Sequence, residues 1–156
     1  MIIRLNPDSP RHWGLYEHFE ARCIDFGNRC GWPINQTLRQ EIRRRFIDAP
    51  RMAGYYISEK GDAHLLSWVV AVYGEPGIQI YQAEGDRGVL LPLLAEFFEE
   101  KLPGWIAELE AVIQQPIRFV EYVTERPDEW KRAIRPYRNQ VAERTMTIIR
   151  LAPHKE

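Results

Sequence analysis

From residue 53 onward, short apolar runs alternate with glycine-bearing turns. Ala53–Ser58 is dense in aromatic and β-branched residues and stops at Lys60-Gly61-Asp62. His64–Tyr73 stops at Gly74-Glu75-Pro76-Gly77, and Ile78–Gln82 runs into Gly85-Asp86-Arg87-Gly88. Turn-bounded runs of this length predict antiparallel hairpins. Past Gly88 the period changes, because Val89, Leu90, Leu93, Leu94, Phe97 and Phe98 recur at helical spacing. A helix over Leu90–Leu102 is predicted, stopped by Pro103-Gly104.

Met1–Leu5 reads as a strand, broken by Asn6-Pro7-Asp8-Ser9-Pro10, where Asp8 or Ser9 offers a helix cap. Trp13, Tyr16, Phe19 and Cys23 then predict a helix from Arg11 to about Cys23. A loop marked by Gly27, Gly31 and Pro33 follows. Leu38, Ile42 and Phe46 share one face of a second helix over Thr37–Ile47, closed by Pro50. Later come a helix over Trp105–Ile113, a strand over Ile117–Thr124 and a short helix over Pro127–Ile134 with Pro in its favoured first turn. A last strand over Val141–Leu151 and a frayed tail complete the chain. Without repeat or linker, residues 1–156 read as a single domain. Its class is α/β with a mixed, mostly antiparallel central sheet flanked by helices.

Composition narrows the function classes. The chain of 156 residues is 45% hydrophobic and 28% charged, with a net charge of −1. That balance suits a domain with a sizeable core and argues against a protein built to coat nucleic acid. No basic segment followed by a long apolar stretch opens the chain, and no apolar run approaches the roughly 18–20 residues of a membrane helix. Cys23 and Cys30 read as reduced thiols, so the expected compartment is the cytoplasm. His12, His18, Cys23 and Cys30 lack the close paired spacing of zinc ligands, and no metal is expected. No Walker loop, HExxH pattern or nucleophile triad is present.

One candidate chemistry stands out. A strand that ends in a glycine turn and opens a helix presents N–H groups without intrahelical partners, which suits an anion such as a phosphate. The order strand, helix, helix, three strands, helix, strand, helix, strand, with this turn after the third central strand, resembles the GNAT superfamily of N-acetyltransferases. The resemblance implies acetyl-CoA as cofactor, held at Gln/Arg-x-x-Gly-x-Gly/Ala by backbone N–H groups on the pyrophosphate. Starting at Gln82, the chain reads Gln-Ala-Glu-Gly-Asp-Arg. Gln82 and Gly85 match, and Arg87 stands where the family has a small residue. Starting at Gly85, only Gly88 matches. Together the registers assign Gln82, Gly85, Arg87, Gly88 and Val89 to the coenzyme. The family's Leu-Tyr-x-x-x-Gly-Phe turn aligns best with Pro136-Tyr137. Arg132 then falls where many members carry the Tyr that protonates the departing thiolate, and Tyr137 lies near but out of register.

Transfer to an amine also needs a group to take the ammonium proton. Glu75, Glu84, Glu121 and Tyr81 are the candidates near the central strands. With Tyr137 as acid, Glu84 heads the catalytic assignments. The segment HLLSWVVAVYGEPGIQIYQAE further resembles small GNAT-like proteins of tailed bacteriophages. That likeness implies an alternative, a catalytically degenerate GNAT shape serving as a virion, assembly or interaction component, located in the host cytoplasm or the virion. Charge patterning adds a partner expectation. Arg39, Arg43, Arg44, Arg45 and Arg51 form a basic cluster on and after the second helix, the long helix is acidic at Glu96, Glu99 and Glu100, and Arg132, Arg135 and Arg138 form a second basic group. The Arg39–Arg45 and Glu96–Glu100 faces suit a homo-oligomer or a protein partner, an acidic substrate or a phosphate backbone at Arg39–Arg45, or a solvated surface. Trp32 is the tryptophan expected to be exposed.

Overall fold

Buried residues in β-strands whose two faces are both covered read as continuous apolar runs, and Ala53–Ser58 is such a run. In a computed structural model of the chain, which describes residues 1–124 and 127–134, it forms the second strand of a five-stranded sheet. The strands are β1 (Ile2–Arg4), β2 (Ala53–Ser58), β3 (Ala63–Val72), β4 (Glu75–Gly85) and β5 (Val120–Glu121), adjacent in chain order. All neighbours are antiparallel except β4 and β5, which are parallel.

Helices cover both faces. On one, α1 (Pro10–Arg29) and α2 (Gln36–Asp48) bury Tyr16, Phe19, Cys23, Ile42 and Phe46 against Tyr55, Ile57, Leu66 and Trp68. On the other, α3 (Arg87–Glu96), a π-turn (Phe97–Lys101) and α4 (Leu102–Ile113) bury Leu94, Phe97, Leu102, Trp105 and Leu109 against Tyr56, Leu65, Ile78 and Ile80. Tyr55 and Tyr56 therefore serve opposite cores, as strand alternation requires. A short helix, α5 (Pro127–Ala133), packs beside α3. The predicted α/β class with a mostly antiparallel sheet is thus observed.

Several expected boundaries are corrected. Helix α1 runs through Gly27 to Arg29 rather than ending near Cys23. Gly27 allows close packing here, since a Cβ would lie 2.8 Å from the Trp32 carbonyl oxygen. Pro103-Gly104 stops nothing. The π-turn ends with the Leu102 N–H bonded back to Phe97 O, and Pro103 sits in the first turn of the next α segment, where a missing N–H is tolerated. Strand β4 extends well beyond Ile78–Gln82, because the hairpin reverses in only Tyr73 and Gly74, both at positive φ (50° and 80°). Two such residues match the type I′ turn that twisted hairpins favour. The strand expected over Ile117–Thr124 shrinks to Val120–Glu121, and Ile117 N–H instead binds the Glu110 carboxylate at 3.0 Å. The expected strand Val141–Leu151, with Arg135, Arg138 and Tyr137, lies outside the described residues.

Candidate functional site

The site builds from an irregularity in β4. Its register with β3 jumps between Leu66 and Ser67, so that Ser67 faces Ile80, Leu66 faces Gln82, and Tyr81 is the extra residue of a β-bulge. The bulge changes the parity of the strand. Gln79 stands on the α1–α2 face ahead of it, and Gln82 and Glu84 stand on that same face after it.

Behind the bulge, that face is a buried polar network. Gln82 is 5% exposed; its amide donates to Cys23 O at 3.2 Å and its oxygen meets His64 Nε2. Glu84 accepts hydrogen bonds from Arg22 and, at 2.8 Å, from Arg29. His64 Nδ1 stands 3.5 Å from Glu84 Oε2. Burial alone pushes the Glu84 carboxyl up, but the His64 contact and the Arg29 and Arg22 bonds outweigh it and hold it at about 2. A carboxylate so stabilised, with both oxygens occupied, has little basicity left for a substrate ammonium. The expectation of Glu84 as the base is therefore not carried forward. Gln82, aimed at α1, is not available to a ligand at the turn.

Past Glu84, Gly85 takes φ 151°, and a Cβ there would lie 2.7 Å from Ala63 Cβ, so both backbone and space demand glycine. Asp86 is extended and caps α3 through its carbonyl, which accepts from Val89 N–H at 2.9 Å and Leu90 N–H at 2.8 Å. The N–H groups of Arg87 and Gly88 have no partner among the described residues. Nothing stands within 4 Å of a Cβ built on Gly88, so this backbone is open to an approaching group. Arg87 turns its guanidinium sideways to Glu129 of α5 at 3.4 Å. Val89 packs against the core. Of the residues assigned to the coenzyme, Arg87 and Gly88 thus offer free donors, Gly85 shapes the turn, and Gln82 and Val89 face inward.

Beside this turn the sheet forks. β4 and β5 pair only at Ile78↔Val120 and Gln79↔Glu121. Gly77 lets the Phe119 ring lie against β4, since a Cβ would come within 2.3 Å of it. After Glu121 the chain leaves β4, and Tyr122 stacks on Trp130 of α5 at 4.0 Å. The edge of β4 from the bulge to Gly85 has no strand partner on the β5 side among the described residues.

In front of the fork lies a chain of side chains. Trp68 Nε1 donates to Gln79 Oε1 at 3.1 Å, and Gln79 Nε2 donates to Glu121 Oε1 at 3.3 Å. Tyr81, 37% exposed, lies 4.7 Å from Trp68 between ring centroids. Burial and then the neighbouring Cys23 push its phenol up, so it keeps its proton at neutral pH. The structure thereby brings Tyr81 and Glu121 to one side of the fork. Glu75 sits apart, at the hairpin end of β4.

The sequence matches no protein-family model, and no curated protein matches it.

The remaining candidates fall elsewhere. Arg132 is in the last turn of α5. His12 Nδ1 accepts from Asn6 N–H at 2.9 Å, and His18 Nε2 lies 3.0 Å from Gly61 O. Trp32 is 51% exposed. Among the described residues, no helix is long and apolar enough to cross a membrane. The basic and acidic faces lie on opposite sides of the sheet. Arg39 and Arg43 bind Glu20, Arg44 and Arg45 bind Glu41, and Glu96 accepts from Ile2 N–H. Sequence reasoning missed Arg22, Arg29 and the Trp68–Gln79 chain. A signal existed in the polar positions 79, 82 and 84, whose broken alternation marks the bulge.

Proposed function

We propose that the chain is a GNAT-like N-acyltransferase that takes an acyl group from acetyl-CoA to an amine. The observation that carries this reading is the opening of α3, where two adjacent N–H groups without a partner among the described residues, on Arg87 and open Gly88, sit beside the β4–β5 fork. An anion placed there gains hydrogen bonds and the favourable end of the helix dipole. Acetyl-CoA would supply the thioester, and Arg87 and Gly88 would hold its pyrophosphate through the backbone. The edge of β4 that has no strand partner among the described residues offers amide donors and acceptors to an extended arm lying in the fork, as an added strand would use them. Glu121, reachable from solvent and oriented by Gln79, takes the proton of the incoming ammonium. Tyr81, which keeps its proton, gives one to the departing thiolate. Each of these is within the ordinary scope of general acid–base catalysis.

A second reading has its own support. Gln82 points away from the turn and Arg87 occupies the position of a small residue, which suits a GNAT-shaped interaction or assembly protein without catalysis. Thermal denaturation with acetyl-CoA separates the two. A single site at a hundred times its Kd adds about 2.7 kcal/mol to stability. A clear upward shift supports the enzyme, and an unchanged Tm at millimolar coenzyme removes it.

A further inference from the structure

Glu20 stands on the face of α1 turned towards α2 and the sheet, only 4% exposed, and a buried carboxylate must be paired to remain ionised. Tyr16 Oη donates to it at 2.9 Å, Arg39 Nε at 2.8 Å, and Arg43 at 3.3 Å through Nε and 3.0 Å through Nη2. Burial by itself raises this carboxyl, and the bonds from Arg43, Tyr16 and Arg39 bring it below its ordinary value. Glu20 is therefore an internal anchor that fixes two guanidiniums while neutralising only one of them. Arg43 is additionally held over the Tyr16 ring, 5.6 Å from its centroid.

Most of the remaining guanidinium donors are unspent, and both side chains stay close to half exposed. Arg39 and Arg43, with Gln36 and Gln40, line an open hollow of about 250 Å³ on the exposed face of α2. We propose that this hollow is a binding site for a tetrahedral oxyanion, namely the phosphate group of a small molecule or of the end of a larger one. The four lining residues all end in polar groups, carry a net positive charge with their anchor, and include no carboxylate. Guanidinium forks and amide donors from separate positions suit a group whose oxygens point in several directions, whereas a planar carboxylate is satisfied by a single fork. The anchor holds the arginines in place beforehand, which lowers the ordering cost of binding. The volume falls below the ~300 Å³ at which pockets for drug-sized ligands begin, so the open hollow suits a small group whose remainder stays in solvent. None of these residues belongs to the α3 turn or the fork, so this site stands independently of the acyltransferase reading.

Inorganic phosphate, sulfate and acetate, titrated at constant ionic strength while the arginine Nε–H resonances are followed by NMR, test the site. Phosphate and sulfate should shift the Arg39 and Arg43 signals saturably, and acetate should not. Gln40→Glu leaves every Glu20 bond in place and puts a competing anion in the hollow, so it should weaken phosphate at least about tenfold, roughly 1.4 kcal/mol, at unchanged Tm. Arg44→Gln, whose side chain binds Glu41 outside the hollow, should titrate as the unaltered chain does. Non-saturating shifts, an equal response to acetate, or undiminished phosphate binding by Gln40→Glu would each overturn the proposal.

Discussion

Glu84 shows how burial and pairing reassign a residue that composition alone would leave ambiguous. It is 8% exposed, bonded to Arg22 and Arg29, and held at about 2. Replacing it with Gln leaves Arg22 with its bond to Asp62 O at 2.9 Å but without a counter-charge, and breaking a buried pair in this way costs about 3 kcal/mol. Urea melts of Glu84→Gln should show that loss. The same depressed carboxyl sets a pH dependence. The folded state keeps Glu84 ionised where the unfolded chain would bind a proton, so its contribution is complete above about pH 4.5 and disappears as pH falls towards 2. Between those limits, Glu84→Gln should flatten the acid arm of the stability curve. Glu121 is the opposite case, exposed and, among the described residues, held by Gln79. Glu121→Gln should leave Tm unchanged and lower amine acetylation by about a hundredfold or more, as loss of a general base does. Gln82 and Glu84 were legible as polar residues near a turn. Their inward aim was not, because it depends on one extra residue at Tyr81 that flips every later side chain to the other face.

At the scale of elements, turns and close approaches decide the details. Tyr73 is a bulky residue at φ 50° and wholly exposed, so its side chain contributes strain and little packing. Tyr73→Asn, which suits the first position of a type I′ turn, should raise stability by several tenths of a kcal/mol to about 1 kcal/mol. Gly77→Ala should do the reverse. Its Cβ meets the Phe119 ring, which must move and take β5 with it, at a cost of about 1–3 kcal/mol by the measure of overpacked sites. Loss of the Ile78 amide's protection against hydrogen exchange would locate the damage, since that N–H binds Phe119 O at 2.9 Å. Strand and helix order was readable from periodicity alone. Gly27 and Pro103 misled about boundaries because each answers to a tertiary circumstance, a loop folding back on one helix and a π-turn resetting another.

At the scale of the molecule, the α/β class was legible because both buried faces leave a plain signature in the strands, and the sheet in turn sets the site. The fork exists because β5 pairs over two residues and then turns away to α5, which no local pattern announces. The charged faces also change meaning at this scale. Arg39, Arg43, Arg44 and Arg45 each have an acidic partner within the chain, and Glu96 is bonded to the β1 backbone. Two carboxylates against four guanidiniums still leave the α2 face net positive, and Glu99 and Glu100 stay exposed on the other side, so copies that associate through these faces should show a light-scattering mass that falls as added salt screens exposed charges. A monomer mass at every salt concentration would remove association through these faces.

The most direct test of the central claim is an amide-resolved NMR titration with acetyl-CoA. If the opening of α3 holds the pyrophosphate, Arg87 and Gly88 should show the largest, saturable shifts, accompanied by Tyr81 at the bulge. Saturating coenzyme that leaves Arg87 and Gly88 unmoved would contradict the assignment of this turn, whatever else in the molecule responds.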